Sequence, residues 1–191
     1  MKIEPTIHTV DTAPDASKPL LEDSQRAYGM VPNLHAVMAA SPAHLEGYKA
    51  LHALVVEKTA FTPAERTVVW MAINVEHVCH YCVPAHTTIA KGESIDEAVI
   101  EALRNATPLA DPKLEALRRF ALAVVRERGT VSKAEIDAFK AAGFEDAHIL
   151  DVLLILAQKV MSNYANHIFE TPVDAPFAKN GWDPKSAGKA A

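Results

Sequence analysis

The sequence predicts an all-α fold, and three observations carry that reading. Helix-capping residues recur from end to end, the apolar residues between them fall at helical spacing, and no stretch keeps up the alternation of a half-buried strand. At 191 residues the chain is long enough to bury a substantial core, yet within single-domain length, so one compact helical bundle is expected.

The punctuation sets helices near 17–28, 34–40, 42–58, 63–77, 81–91, 95–105, 112–128, 133–142 and 146–168. Gly29 suits the left-handed terminal position of the first. Ser41-Pro42 opens the third with proline at its first position, where a missing N–H costs nothing. Thr62-Pro63-Ala64-Glu65, Ser94-Ile95-Asp96-Glu97 and Ser132-Lys133-Ala134-Glu135 have the form of capping boxes and open the fourth, sixth and eighth. Gly92, Gly129 and Gly143 mark further ends. In the seventh helix Leu114, Leu117, Phe120, Ala121, Val124 and Val125 form an apolar stripe. In the ninth, Ile149, Val152, Leu153, Leu156 and Val160 do the same, widened by Leu150 and Leu154, so this helix reads as buried on much of its surface.

The ends differ. Residues 1–16 and 171–191 hold five of the prolines among polar residues and read as extended arms around a helical domain over 17–170. Phe177 and Trp182 are out of keeping with a free tail and are expected to anchor the second arm, on this chain or on another subunit.

Composition closes off several functions. With 19 Lys and Arg against 24 Asp and Glu, and a net charge of -5, no basic surface for nucleic acid is expected. Val152 to Ala157 is far too short an apolar run to span a bilayer, and the first residues lack a secretory signal pattern, so no membrane is implied and a cytoplasmic location is expected.

Both cysteines lie in one four-residue window, so they cannot staple distant segments, and in a reducing compartment such a pair is a redox dithiol or half a metal site. Residues 74–88 read Asn-Val-Glu-His-Val-Cys-His-Tyr-Cys-Val-Pro-Ala-His-Thr-Thr. Pro84 cannot lie deep in a helix, so one helix ends near His77 and another begins near His80 or Tyr81. Cys79 and Cys82 then sit at a helix N-terminus, where free N–H groups and the dipole favour a thiolate. His86 stands one turn after Cys82, on the same face, as a proton-handling base. Glu76, just before the break, is a candidate to orient His86. His77, His80 and Tyr81 are weaker relay candidates. Helix position favours Cys79 for the lower pKa, whereas nearness to His86 favours Cys82.

The motif Glu76-X-X-Cys79-X-Tyr81-Cys82-X-X-X-His86 on a helical background resembles the AhpD-like alkylhydroperoxidase branch of the carboxymuconolactone decarboxylase family. Gly29-Met30-Val31-Pro32-Asn33-Leu34 is similar to that family's entry segment, and Asn163-Tyr164-Ala165-Asn166-His167 to its closing one. The resemblance implies an AhpD-like homo-oligomer, trimeric or hexameric, that reduces hydroperoxides without a bound cofactor or metal. It gives Cys82 the attacking role and Cys79 the resolving one, with His86 in the proton relay, Glu76 as the substitute that other branches of the family use for a relay glutamate, and a thiol donor, such as a lipoyl-bearing protein, restoring the pair. Two residues depart from the pattern: Thr67 stands where AhpD-type peroxidases carry a relay glutamate, and Val78 stands where relatives often have glycine. Two other readings compete. One is a general thiol-disulfide oxidoreductase or redox sensor; the other is a metal-binding helical module, for which no second cysteine pair exists.

Overall fold

The computed structural model describes residues 3–184, and among these every regular element is a helix. A turn of 3₁₀ helix over Asp15–Ser17 leads into α1 (Lys18–Tyr28), α2 (Asn33–Met38), α3 (Pro42–Lys58), α4 (Pro63–Glu76), α5 (Cys82–Gly92), α6 (Glu97–Arg104), α7 (Pro112–Arg126), α8 (Lys133–Ala141), α9 (Asp146–Phe169) and α10 (Ala175–Ala178). Two capping boxes close as the sequence predicts. Thr62 accepts from the Glu65 N–H while the Glu65 carboxylate accepts from Thr62, and Ser132 and Glu135 do the same. The third is displaced. Asp96, not Ser94, caps α6 by accepting from the Ala98 N–H, and Ser94 instead takes the left-handed turn after α5 at φ 59°. Asp96 can do both jobs of a cap in one step, so the extra serine is left to the turn.

The buried α4 runs through the middle of the molecule, packed by α5, α6, α7 and α9, while α3 lies along α9. One core cluster joins buried apolar residues: Val68, Met71 and Ile73 of α4 meet Leu117, Phe120 and Val124 of α7 and Val152 and Ile155 of α9. Phe120, Phe139 and Phe144 stack in it with ring centroids 4.2 and 4.5 Å apart. A second cluster, built from Leu21, Leu34, Leu45 and Tyr48, holds both cysteines.

On α7 Leu117, Phe120, Ala121 and Val124 of the stripe are buried and Leu114 and Val125 half-buried at its edges, but the stripe on α9 is rotated. Leu150 and Leu153 are exposed, and Val152 and Ile155 are the buried residues, because α3 and α4 cover that side. The arms are also not loose. Val10 and Ala13 pack on the second cluster, as does Phe177. Trp182 packs on the first and donates to the Arg104 carbonyl at 2.9 Å. Both aromatic anchors thus use this chain's own helices. Residues 185–191 of the expected arm lie outside the described residues. Among the described residues no helix is long and apolar enough to cross a membrane.

Candidate functional site

Pro84 does what its chemistry requires. α4 stops at Glu76 with His77 as its C-cap, and α5 starts at Cys82, which puts Pro84 at the third helical position, where its lost N–H has no helical partner to miss. The connection turns sharply at Val78, whose φ of 55° is left-handed; for a β-branched residue this is a strained conformation, adopted so that the Cys79 N–H can reach the Asn74 carbonyl at 2.9 Å. Both thiols are free and buried, Cys79 at 0% and Cys82 at 2% exposure.

The two sulfurs are not equivalent. The Cys82 N–H, at the first turn of α5, donates to Cys79 Sγ at 3.3 Å. The Asn166 amide donates to Cys82 Sγ at 3.2 Å and lies 3.8 Å from Cys79 Sγ. Burial pushes the Cys82 thiol up, but a hydrogen bond from Cys79, the positive charge of Lys159 and the Asn163 and Asn166 amides outweigh it, and its pKa falls below the usual thiol value. Cys79 moves the other way, since its proton is held by Cys82 and burial disfavours a second charge. Of the two possibilities left open by the sequence, the electrostatics favour Cys82 as the thiolate.

His86 and Cys82 share the wall of one cavity of about 440 Å³, lined also by Tyr48, His52, Trp70, Lys159 and Phe177. His86 Nε2 accepts a hydrogen bond from Lys159 Nζ at 2.9 Å, and its ring leans on Trp70 at 5.0 Å. Burial, then Lys159, then His52 hold it neutral, well below the ordinary histidine range. The cavity's other histidines are neutral for the same first reason: burial takes His35 to about 3 and His52 to about 4. His52 Nδ1 accepts from Gln158, which in turn accepts from the Trp70 indole N–H at 2.8 Å.

Several predicted relay residues are occupied elsewhere. Glu76 does not reach His86; its carboxylate forms a two-pronged pair with Arg126 of α7, both contacts 2.8 Å, and the place beside His86 belongs to Lys159. Tyr81 borders the cavity, but its hydroxyl donates to Asp174 at 2.5 Å and accepts from the Leu34 N–H, tying the second arm to α2. The Asn33 N–H completes this junction on the Asp174 carboxylate at 3.1 Å. His80 donates to the Thr171 carbonyl at 3.1 Å, and His77 to Asn163, which donates to Asn74. Thr67 is buried in α4, one turn before Trp70. Among the described residues no group of three or more His, Cys, Asp or Glu is placed to hold a metal ion.

Motif spacing assigns no role to Lys159, Asn163 or Asn166, yet these three surround the sulfurs. The sequence does carry a signal for them: 152, 155, 159, 162, 163 and 166 continue one helical face, and the four polar ones are fully buried.

Fold and site define a helical protein with a buried Cys-X-X-Cys pair whose second cysteine opens on an aromatic cavity. Residues 42–123 match the Carboxymuconolactone decarboxylase family. The alkylhydroperoxidase AhpD core protein of Ralstonia eutropha JMP134, an uncharacterized peroxidase-related protein, superposes with a TM-score of 0.79 at 24% identity over 90% of this chain and 92% of its own. A peroxidase-related protein from Silicibacter sp. TM1040 gives 0.76 at 22% over 92% and 95%. The debrominase Bmp8, bound to 2,3,4-tribromopyrrole, gives 0.76 at 15% over 94% and 97%. No curated protein matches the sequence. The chain has the AhpD-like all-α fold of these neighbours.

Proposed function

We propose that this protein is a thiol-dependent hydroperoxide reductase working through a Cys79/Cys82 dithiol–disulfide cycle. The observation that carries the reading is the placing of the two thiols: Cys82 Sγ lies on the cavity wall and accepts from the Asn166 amide at 3.2 Å, while Cys79 Sγ accepts from the Cys82 N–H at 3.3 Å directly behind it. Cys82 Sγ attacks the terminal oxygen of a hydroperoxide, the O–O bond breaks, and Cys82 becomes a sulfenic acid while an alkoxide leaves and is protonated. The Cys79 thiol then displaces the hydroxyl as water and a disulfide forms. His86 belongs to the proton-handling side of the site through its contact with Lys159. A small dithiol or a lipoyl arm reduces the disulfide.

Burial of both sulfurs speaks against the competing role in protein-disulfide exchange, because a folded partner's disulfide has no surface sulfur to meet. A second reading is the dehalogenation of a flat halogenated ring like the one bound by the debrominase, for which the aromatic lining of the cavity speaks. The proposal includes a homo-oligomer, for which exposed Leu54 on α3 and Leu150 and Leu153 on α9 offer apolar surface; a monomer in sedimentation velocity would remove that part.

The test is steady-state turnover of several hydroperoxides with dihydrolipoamide, for wild type and both cysteine variants. Saturable peroxide consumption that vanishes in Cys82→Ser is expected. Turnover no greater than in that variant, or halide release from a halogenated ring in its place, would overturn the reading.

A further inference from the structure

We infer that Lys159 is a further catalytic residue of this site: its ammonium, held by His86 on the cavity wall it shares with Cys82, hands its proton to the leaving alkoxide and recovers one when the disulfide is reduced. The inference rests on the function proposed above and deepens it.

Lys159 is at 0% exposure, and its Nζ makes a 2.9 Å hydrogen bond to the neutral His86 ring. A buried ammonium is costly unless an opposite charge compensates it. Burial lowers its proton affinity, and among the described residues the negative charge set against it is that of the cysteine pair, Cys82 before Cys79. No carboxylate among them takes that part; Glu93, the acidic side chain bordering the cavity, is exposed. The other titratable or charged groups facing the cavity leave the proton with Lys159. From α3, His52 is neutral, and Tyr48 is held protonated first by its burial. From α2, His35 is likewise kept neutral, first by its burial. From α5, His86 accepts from Lys159 at Nε2 and so cannot donate there. Tyr81 has committed its proton to Asp174.

The charge that keeps Lys159 protonated is therefore the charge that the reaction destroys. When Cys82 Sγ bonds to the peroxide oxygen, sulfur is oxidised by two electrons and the O–O bond is reduced. The alkoxide takes the Lys159 proton and leaves as the alcohol, and a neutral amine stays behind. Cys79 then forms the S–S bond and releases water with its own proton. A reducing dithiol supplies two protons, one for Cys79 and one for Lys159, which restores the thiolate–ammonium pair. His86 acts through Lys159 as its positioning residue.

The test counts protons. Reduced wild-type protein is mixed at pH 8 with one equivalent of cumene hydroperoxide in weak buffer containing a pH indicator. Disulfide formation with no net proton taken from solvent is expected. Uptake of one proton per chain with the peroxide consumed would overturn the role of Lys159 and leave the peroxidase reading standing. Peroxide left unconsumed would overturn both. Lys159→Met adds a second readout: iodoacetamide alkylation at pH 6 should slow at least tenfold and its inflection move toward or above the ordinary thiol value of about 8.5. An unchanged profile in folded Lys159→Met would overturn the ion pair. The proton count needs no variant to fold.

Discussion

The two halves of α9 obey different rules. In the first, Val152 and Ile155 join a cluster of buried apolar side chains; in the second, Gln158, Lys159, Ser162, Asn163 and Asn166 are buried just as completely. The same helical face is continued, so geometry alone does not separate the halves. What separates them is what each contributes. The first half supplies stability through apolar burial, about 1.5–3 kcal/mol for each large side chain removed from water. The second gives up some of that stabilisation to hold one ammonium and two amides near the sulfurs, where they favour a charge that water would otherwise solvate.

Substitutions can break this division. The largest effect expected is at the sulfurs: Cys82→Ser removes peroxide turnover altogether, whereas Cys79→Ser still consumes one equivalent and accumulates a sulfenic acid that dimedone labels. The reverse pattern would exchange their roles. In the apolar half, Ile155→Ala should cost about 2–5 kcal/mol in urea unfolding while leaving the alkylation profile of Cys82 where it was. A shifted profile would mean that the halves are coupled.

Acid should weaken the cavity side selectively. His35, His52 and His86 all have folded pKa values below the unfolded value of about 6.5, so the unfolded chain takes up protons first. Stability is complete above pH 6.5 and falls as pH drops toward 4, by about 1.4 kcal/mol per histidine per pH unit. Flat urea midpoints between pH 6.5 and 4.5 would contradict neutral burial. Asn166→Ala removes a charge-assisted hydrogen bond worth about 1.5 kcal/mol and should raise the alkylation inflection by about one pH unit.

The smallest effects belong to the connection between α4 and α5. Val78→Gly relieves a left-handed β-branched residue and should stabilise the fold by about 1 kcal/mol. Glu76→Gln loosens only the partly exposed pair with Arg126, so less than about 1 kcal/mol of stability and no thiol reactivity should be lost. A large loss of reactivity there would return Glu76 to the relay.

Local chemistry is legible in the sequence itself. Capping at Thr62 and Ser132, the break imposed by Pro84 and the placing of Cys82 and His86 on one face all follow from interactions within about four residues. Asp96 and Ser94 are not separable in this way, because both side chains suit a cap and only the path of the turn chooses between them. Glu76 and Lys159 show the deeper reason for the rest. Their partners, Arg126 and His86, lie 50 and 73 positions away, and nothing in local spacing reports which helix will arrive beside them. A lysine on a buried face is nonetheless a visible anomaly.

The central claim is that two buried sulfurs complete a peroxide-driven cycle within one chain. Titrating fully reduced protein with a substoichiometric series of cumene hydroperoxide and counting free thiols tests it most directly. Two thiols should disappear per peroxide consumed, all returning after dihydrolipoamide treatment. Thiols that survive a full equivalent, or loss of only one per chain, would contradict the account.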